Sequence, residues 1–218
     1  MDQQQDKEER INTITHALGI ALSLVASAVI LPPTIERGEF WLTVSVVVYL
    51  IAFLGVFTFS TLSHYYQDQV RRDRFRALDQ GFIYIAIVAT FTPFSAAYLR
   101  ETWWLVMLGL IWVIAIAGFV SKIFIKHRIN SVAISLPLIL GWLPAVGGML
   151  WADGLPRECM TWIVIGGVLY TVGFVFLFID RRMKFSHAIW HLFVIVAAGA
   201  HFWGILEHVV RAGLPAAG

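Results

Sequence analysis

The chain has 218 residues, 59% hydrophobic and only 14% charged, against roughly 45–50% apolar and 25% charged in ordinary soluble domains. Six of its thirty charged side chains fall in the first ten residues, so the remainder is nearly uncharged. That composition excludes a disordered chain and a soluble domain able to hide its apolar surface, and a net charge of +2 is too small to argue for a nucleic-acid footprint, so no nucleic-acid partner is expected. An all-α integral membrane protein is expected, multi-pass and placed in the cell membrane. The single cysteine, Cys159, allows neither an internal disulfide nor a cysteine metal cage.

A span across about 30 Å of hydrocarbon needs roughly 20 apolar residues. Seven stretches meet this, in chain order Ile14–Leu31, Phe40–Tyr65, Asp79–Leu99, Trp103–Ile125, Ser131–Trp151, Met160–Ile179 and His187–Leu206. Residues 1–13 are then a short cytoplasmic segment ahead of one seven-helix membrane domain. The mixed charges of Met1–Arg10 are not the basic start of a signal peptide, so Ala26-Ser27-Ala28, although shaped like a cleavage site, is read as part of the first span. Pro32-Pro33, Arg71-Arg72-Asp73-Arg74, Asp153-Gly154 and Asp180-Arg181-Arg182 are read as the breaks between stretches. The runs are continuous rather than alternating, which favours helices over a barrel. Pro93, Pro137 and Pro144 are tolerated inside spans, and Gly147-Gly148 and Gly166-Gly167 mark sites of close helix approach.

Twelve Lys and Arg fall on one set of connections, including Lys7, Arg10 and the four arginines from Arg71 to Arg76; four fall on the other, Arg37, Arg100, Arg157 and Arg211. By the positive-inside rule the N-terminus is inside and, after seven crossings, the C-terminus outside. That is opposite to G-protein-coupled receptors and rhodopsins, and the last span has no lysine for a retinal Schiff base. Trp41, Trp103, Trp104, Trp151 and Trp162 read as an outer aromatic belt, and the basic loops as partners of anionic membrane lipids.

Polar groups at membrane depth are functional candidates by default. Ser60 and His64 are four residues apart near the inner end of the second span, Asp79 opens the third, and His187 and His191 open the seventh, again four apart. Residues at that spacing share a helix face, so five polar groups from three helices sit at one level. Three neutral imidazoles suit Zn²⁺, with a fourth position left open. Asp79 is then a residue that holds water or acts as base, and Ser60 a supporting hydroxyl. Each residue alone has a plainer reading: interfacial polarity for the histidine pair, a helix N-terminus for Asp79, a backbone hydrogen bond for Ser60. His201 is ten residues beyond His191, about 15 Å along a helix, too far to share an ion. His208 lies nearer the outer surface, and His127 belongs to a basic loop. Glu9, Asn12, His16 and Gly19 form a stripe at helical spacing, read either as a solvated entry to the membrane or as lining for the site.

Glu9-x-x-Asn12-x-x-Thr15-His16-x-x-Gly19, Ser60-x-x-x-His64, Asp79 with Ile83-Tyr84 and Thr92-Pro93-Phe94, and His187-x-x-x-His191 resemble the hemolysin III family. These are the bacterial members of the progestin and adipoQ receptor group, relatives of the adiponectin receptors, and the resemblance spans nearly the whole chain. It implies a seven-helix fold with zinc near the cytoplasmic face, held by His64, His187 and His191, with a water held by Asp79 and Ser60 alongside. Gln80 departs from the pattern, since hemolysin III relatives often carry His after that aspartate. The wider resemblance to alkaline ceramidases implies zinc-dependent hydrolysis of lipid amides, with Asp79 as base. The family also implies two other readings, a non-enzymatic regulator of membrane lipid homeostasis and a pore-forming cytolysin.

Overall fold

A computed structural model describes residues 3–99, 101–125, 131–151, 154–180 and 182–214. Its regular elements are all helical: α1 (Gln3–Glu36), α2 (Phe40–Tyr65), α3 (Gln69–Tyr98), α4 (Thr102–Phe124), α5 (Ser131–Trp151), α6 (Arg157–Phe178) and α7 (Ser186–Ile205). A π turn, Leu206–Val210, and a 3-10 turn, Arg211–Gly213, prolong α7. Among the described residues, six of these helical segments are long and apolar enough to cross a membrane. The exception is α5, whose apolar stretch there runs only from Leu136 to Gly147.

The helices reach beyond the apolar stretches that mark them in the sequence. α1 has 34 residues, about 51 Å at 1.5 Å per residue, and so outruns the hydrocarbon by several turns. Pro32 and Pro33 lie inside it rather than ending it. The Thr34 hydroxyl donates to Ile30 O at 2.6 Å, and the helix stops only where Gly38 adopts φ 66°. Likewise Arg71–Arg74 are not a break. They form the first turns of α3, whose N-cap Asp68 accepts the Arg71 N–H at 2.9 Å. Asp79 therefore stands ten residues inside α3, which overturns its reading as a helix N-terminus.

α2, α3 and α7 supply most of the core, with Tyr49, Phe53, Phe57, Phe94 and Ile205 among its buried side chains. α1 packs on α2 and on α7, while α3 touches α2, α4, α5 and α7. Faces turned from the core carry exposed Leu, Ile and Val, such as Ile14, Val113 and Ile139, as lipid-facing surfaces do. Buried hydroxyls bond back to their own helix, as Ser23 does to Gly19 O and Thr90 to Ala86 O, both at 2.8 Å.

Gly166 confirms close approach: a Cβ there would meet the His201 ring at 2.2 Å. The aromatic belt needs one correction. Trp41 and Trp103 are exposed, but Trp104 is buried and donates from Nε1 to Ser95 Oγ at 2.8 Å. Trp162 is half-buried, packed against Gly204. His127 and Asp153 lie outside the described residues, as do the surroundings of Gly148 and the side chain of Trp151.

Candidate metal centre

The last turn of α2 carries His64, one turn after Ser60, and the first turns of α7 carry His187 and His191. Phe185, at φ 59° in the left-handed region, ends the α6–α7 connection and sets the direction in which His187 enters. The structure brings the three histidines together. Each offers one ring nitrogen, and these atoms all lie within 4.8 Å of one another. Among the described residues no other group of three His, Cys, Asp or Glu does so. His191 lies deepest at 1% exposure, His64 follows at 6%, and the His187 side chain is 31% exposed.

Two of the rings are hydrogen-bonded to an oxygen at Nδ1, and the third has a carboxylate near its Nδ1. The His64 Nδ1 is 2.7 Å from Glu9 Oε2 on α1. The His187 Nδ1 is 3.5 Å from Asp180 Oδ2. The His191 Nδ1 is 3.1 Å from Thr15 Oγ1. That hydroxyl proton is already directed at Asn12 O and Ile11 O, at 2.9 and 3.0 Å, so the threonine oxygen accepts and the imidazole donates. A proton on Nδ1 of His64 and of His191 leaves the Nε2 lone pair of each free for an ion. Ligand histidines in metal sites are oriented by this kind of oxygen partner, so the residues present suit a metal that takes imidazole nitrogen.

The stripe on α1 faces the cluster rather than solvent, with Asn12, His16 and Gly19 all buried. Glu9 bridges His64 and the Arg72 guanidinium of α3. The His16 ring centroid is 3.6 Å from that of His191 and 5.4 Å from that of Phe57. Neither His16 nitrogen has a hydrogen-bond partner.

Asp79 is half-buried on α3, with the Ser60 hydroxyl facing it, and it is not one of the three-histidine group. His201 also stays apart. It is 4% exposed, with Nε2 3.2 Å from Ile163 O. Beside the cluster a cleft of about 200 Å³ opens between Glu9, His64, Arg76, Asp180, Phe185 and His187.

Sequence reasoning had Glu9 in a stripe that could line the site, and missed Thr15, Arg72 and Asp180 as partners of this cluster. For Thr15 the usable signal was its place beside His16 in the α1 motif. Nothing in the sequence pointed to Asp180, which sits in what reads as a basic turn.

The family model described as Haemolysin-III related matches residues 4–202. Similar proteins include the Hemolysin-3 homolog of Bacillus subtilis (strain 168), 32% identical with 94% of this chain and 96% of that protein covered. Hemolysin-3 of Bacillus cereus is 33% identical over 94% and 93% of the two chains. The Monocyte to macrophage differentiation factor of Homo sapiens is 30% identical over 94% and 85%. No solved structure matches. Motif order, helix arrangement and near full-length matches agree: the chain belongs to the Haemolysin-III related family.

Proposed function

We propose that this protein is a zinc-binding, seven-crossing membrane protein, N-terminus inside, that hydrolyses an acyl-amide bond of a membrane lipid. One observation carries the reading: three convergent imidazoles, two of them hydrogen-bonded at Nδ1 to an oxygen so that Nε2 is left over. His64, His187 and His191 hold the ion, Glu9 and Thr15 hold the His64 and His191 rings, and Asp180 stands near the third. When bound, zinc supplies an electrophile that polarises a carbonyl and acidifies water. Asp79 accepts a proton as general base, and the Ser60 hydroxyl faces that carboxylate. Burial of His191 and Ser60 at 1% exposure keeps bulk water from the inner side of the site.

A second reading has its own support. Asp79 stands outside the three-histidine group, which fits a metal that holds the helix ends together in a regulator of lipid composition without turnover. A membrane-spanning pore has less support, because these polar groups gather at one end of the helices.

The test is zinc per protein, with an untargeted lipid-product assay on the same detergent-purified protein. His64→Ala, His187→Ala and His191→Ala should each lose most of the zinc, while His201→Ala keeps it. Asp79→Asn should keep zinc and lose product formation. Full zinc in all four histidine variants overturns the metal assignment. Zinc without any product, together with equal phenotypic rescue by wild type and Asp79→Asn, selects the regulator.

A further inference from the structure

Arg76 carries a charge with no direct hydrogen-bonded or ion-paired partner among the described residues. It lies one turn beyond Arg72 on the same face of α3, half-buried, and it lines the cleft beside His64 and His187. Among the described residues it makes no hydrogen bond and no ion pair; Arg72, by contrast, is paired with Glu9. A guanidinium stays charged at any working pH and presents five N–H donors, so leaving it unpaired and partly desolvated is costly.

The neighbouring carboxylates are engaged elsewhere. Glu9 is shared between Arg72 and His64, Asp180 stands against His187, and Glu8 accepts the Gln4 amide at 3.1 Å. Asp79, three residues on, is close enough to act on Arg76 electrostatically but forms no ion pair with it. We propose that Arg76 is the anion-recognition residue of this cleft, receiving a planar oxyanion as a bidentate partner, specifically the carboxylate of a single acyl chain.

Bidentate geometry is the recognition mode in which a guanidinium exceeds an ammonium. The cleft, about 200 Å³, accommodates a head group rather than a whole lipid, and Met183 and Phe185 give it an apolar side along which a chain can leave. The choice of a carboxylate rests on the acyl-amide reading above, whose product is a carboxylic acid. The anion site itself needs no metal.

The experiment is equilibrium binding of decanoate, and separately of inorganic phosphate, to the full chain in detergent, with zinc and after its removal. Wild type should bind decanoate, and Arg76→Gln should weaken it about ten-fold or more, as expected for losing a charged hydrogen bond. Arg76→Lys, which keeps charge but not the fork, should fall between. Arg74→Gln, an exposed arginine outside the cleft, should bind as wild type. Zinc content should be the same in all four proteins. Arg76-dependent binding of phosphate but not decanoate overturns the lipid carboxylate in favour of a free anion. Decanoate affinity unchanged in Arg76→Gln, or absent in wild type, overturns the proposal altogether. A wild type without zinc that still binds decanoate through Arg76 removes the metal reading and leaves this one standing.

Discussion

Glu9 shows what spacing can and cannot tell. It belongs to the charged first ten residues, which composition assigns to solvent, yet its carboxylate is 13% exposed and lies between His64 and Arg72. Helical spacing in the sequence put Glu9, Asn12 and His16 on one face, but only packing of α1 against α2 and α7 says what that face meets. The histidines were legible for a different reason: an imidazole at membrane depth needs a partner, and few polar residues compete for the role. Trp104 was misread because two adjacent tryptophans at a helix start look alike in sequence, although successive helical residues point about 100° apart. One turns outward and the other is buried against Ser95. If the Glu9 carboxylate fixes the His64 ring, Glu9→Gln should weaken zinc binding about 10–100-fold, the usual cost of losing such an oxygen partner. Competition against a graded chelator measures it. Glu8→Gln, whose carboxylate faces Gln4, serves as control, and equal losses in the two variants would show a general charge effect instead.

Helix ends were the least legible elements. Apolar windows report hydrocarbon thickness, whereas a helix continues as long as its residues tolerate helical backbone, and Arg, Gln and Glu do so well. Hence α1 and α3 start some ten residues before their apolar stretches. Contacts between helices were better marked, through glycine. At Gly166 the neighbour is a ring that cannot swing away, because His201 Nε2 is held by Ile163 O at 3.2 Å. Adding a methyl there should cost about 1–3 kcal/mol, the range for overpacking a filled site. The readout is a lowered melting temperature in detergent for Gly166→Ala. Gly109→Ala, in open space on α4, should melt no lower than wild type. Zinc content should be unaffected by either change, since His201 lies outside the three-histidine group. A Gly166→Ala protein as stable as wild type would mean that α6 and α7 are less tightly packed than this contact requires.

The two ends of the molecule are built differently. One gathers the histidines, Glu9, Arg72 and the cleft around the α2–α3 and α6–α7 connections. At the other, three side chains from separate parts of the chain satisfy carbonyls of the π turn after α7: Tyr98 donates to His208 O, Cys159 approaches the same oxygen at 3.6 Å, and Arg37 donates to Val209 O. A π turn shifts the usual carbonyl pairing, and these donors take up the slack. The helical, apolar character of the whole was legible from composition alone, but neither amphipathicity nor burial says which end faces the cytoplasm. The Lys and Arg bias is the one signal for it, and on that signal the histidine end is proposed to lie inside. Cys159 makes the claim testable, because it is fully buried and should be silent toward a membrane-impermeant maleimide. Gln67→Cys, exposed in the α2–α3 connection, should react only after cells are permeabilised, whereas Glu158→Cys, exposed in the first turn of α6, should react in intact cells. Arg74→Cys, at the histidine end, should behave as Gln67→Cys does. The reverse pattern would put the histidine cluster on the outer face and give the cleft access to extracellular ions in place of cytoplasmic ones.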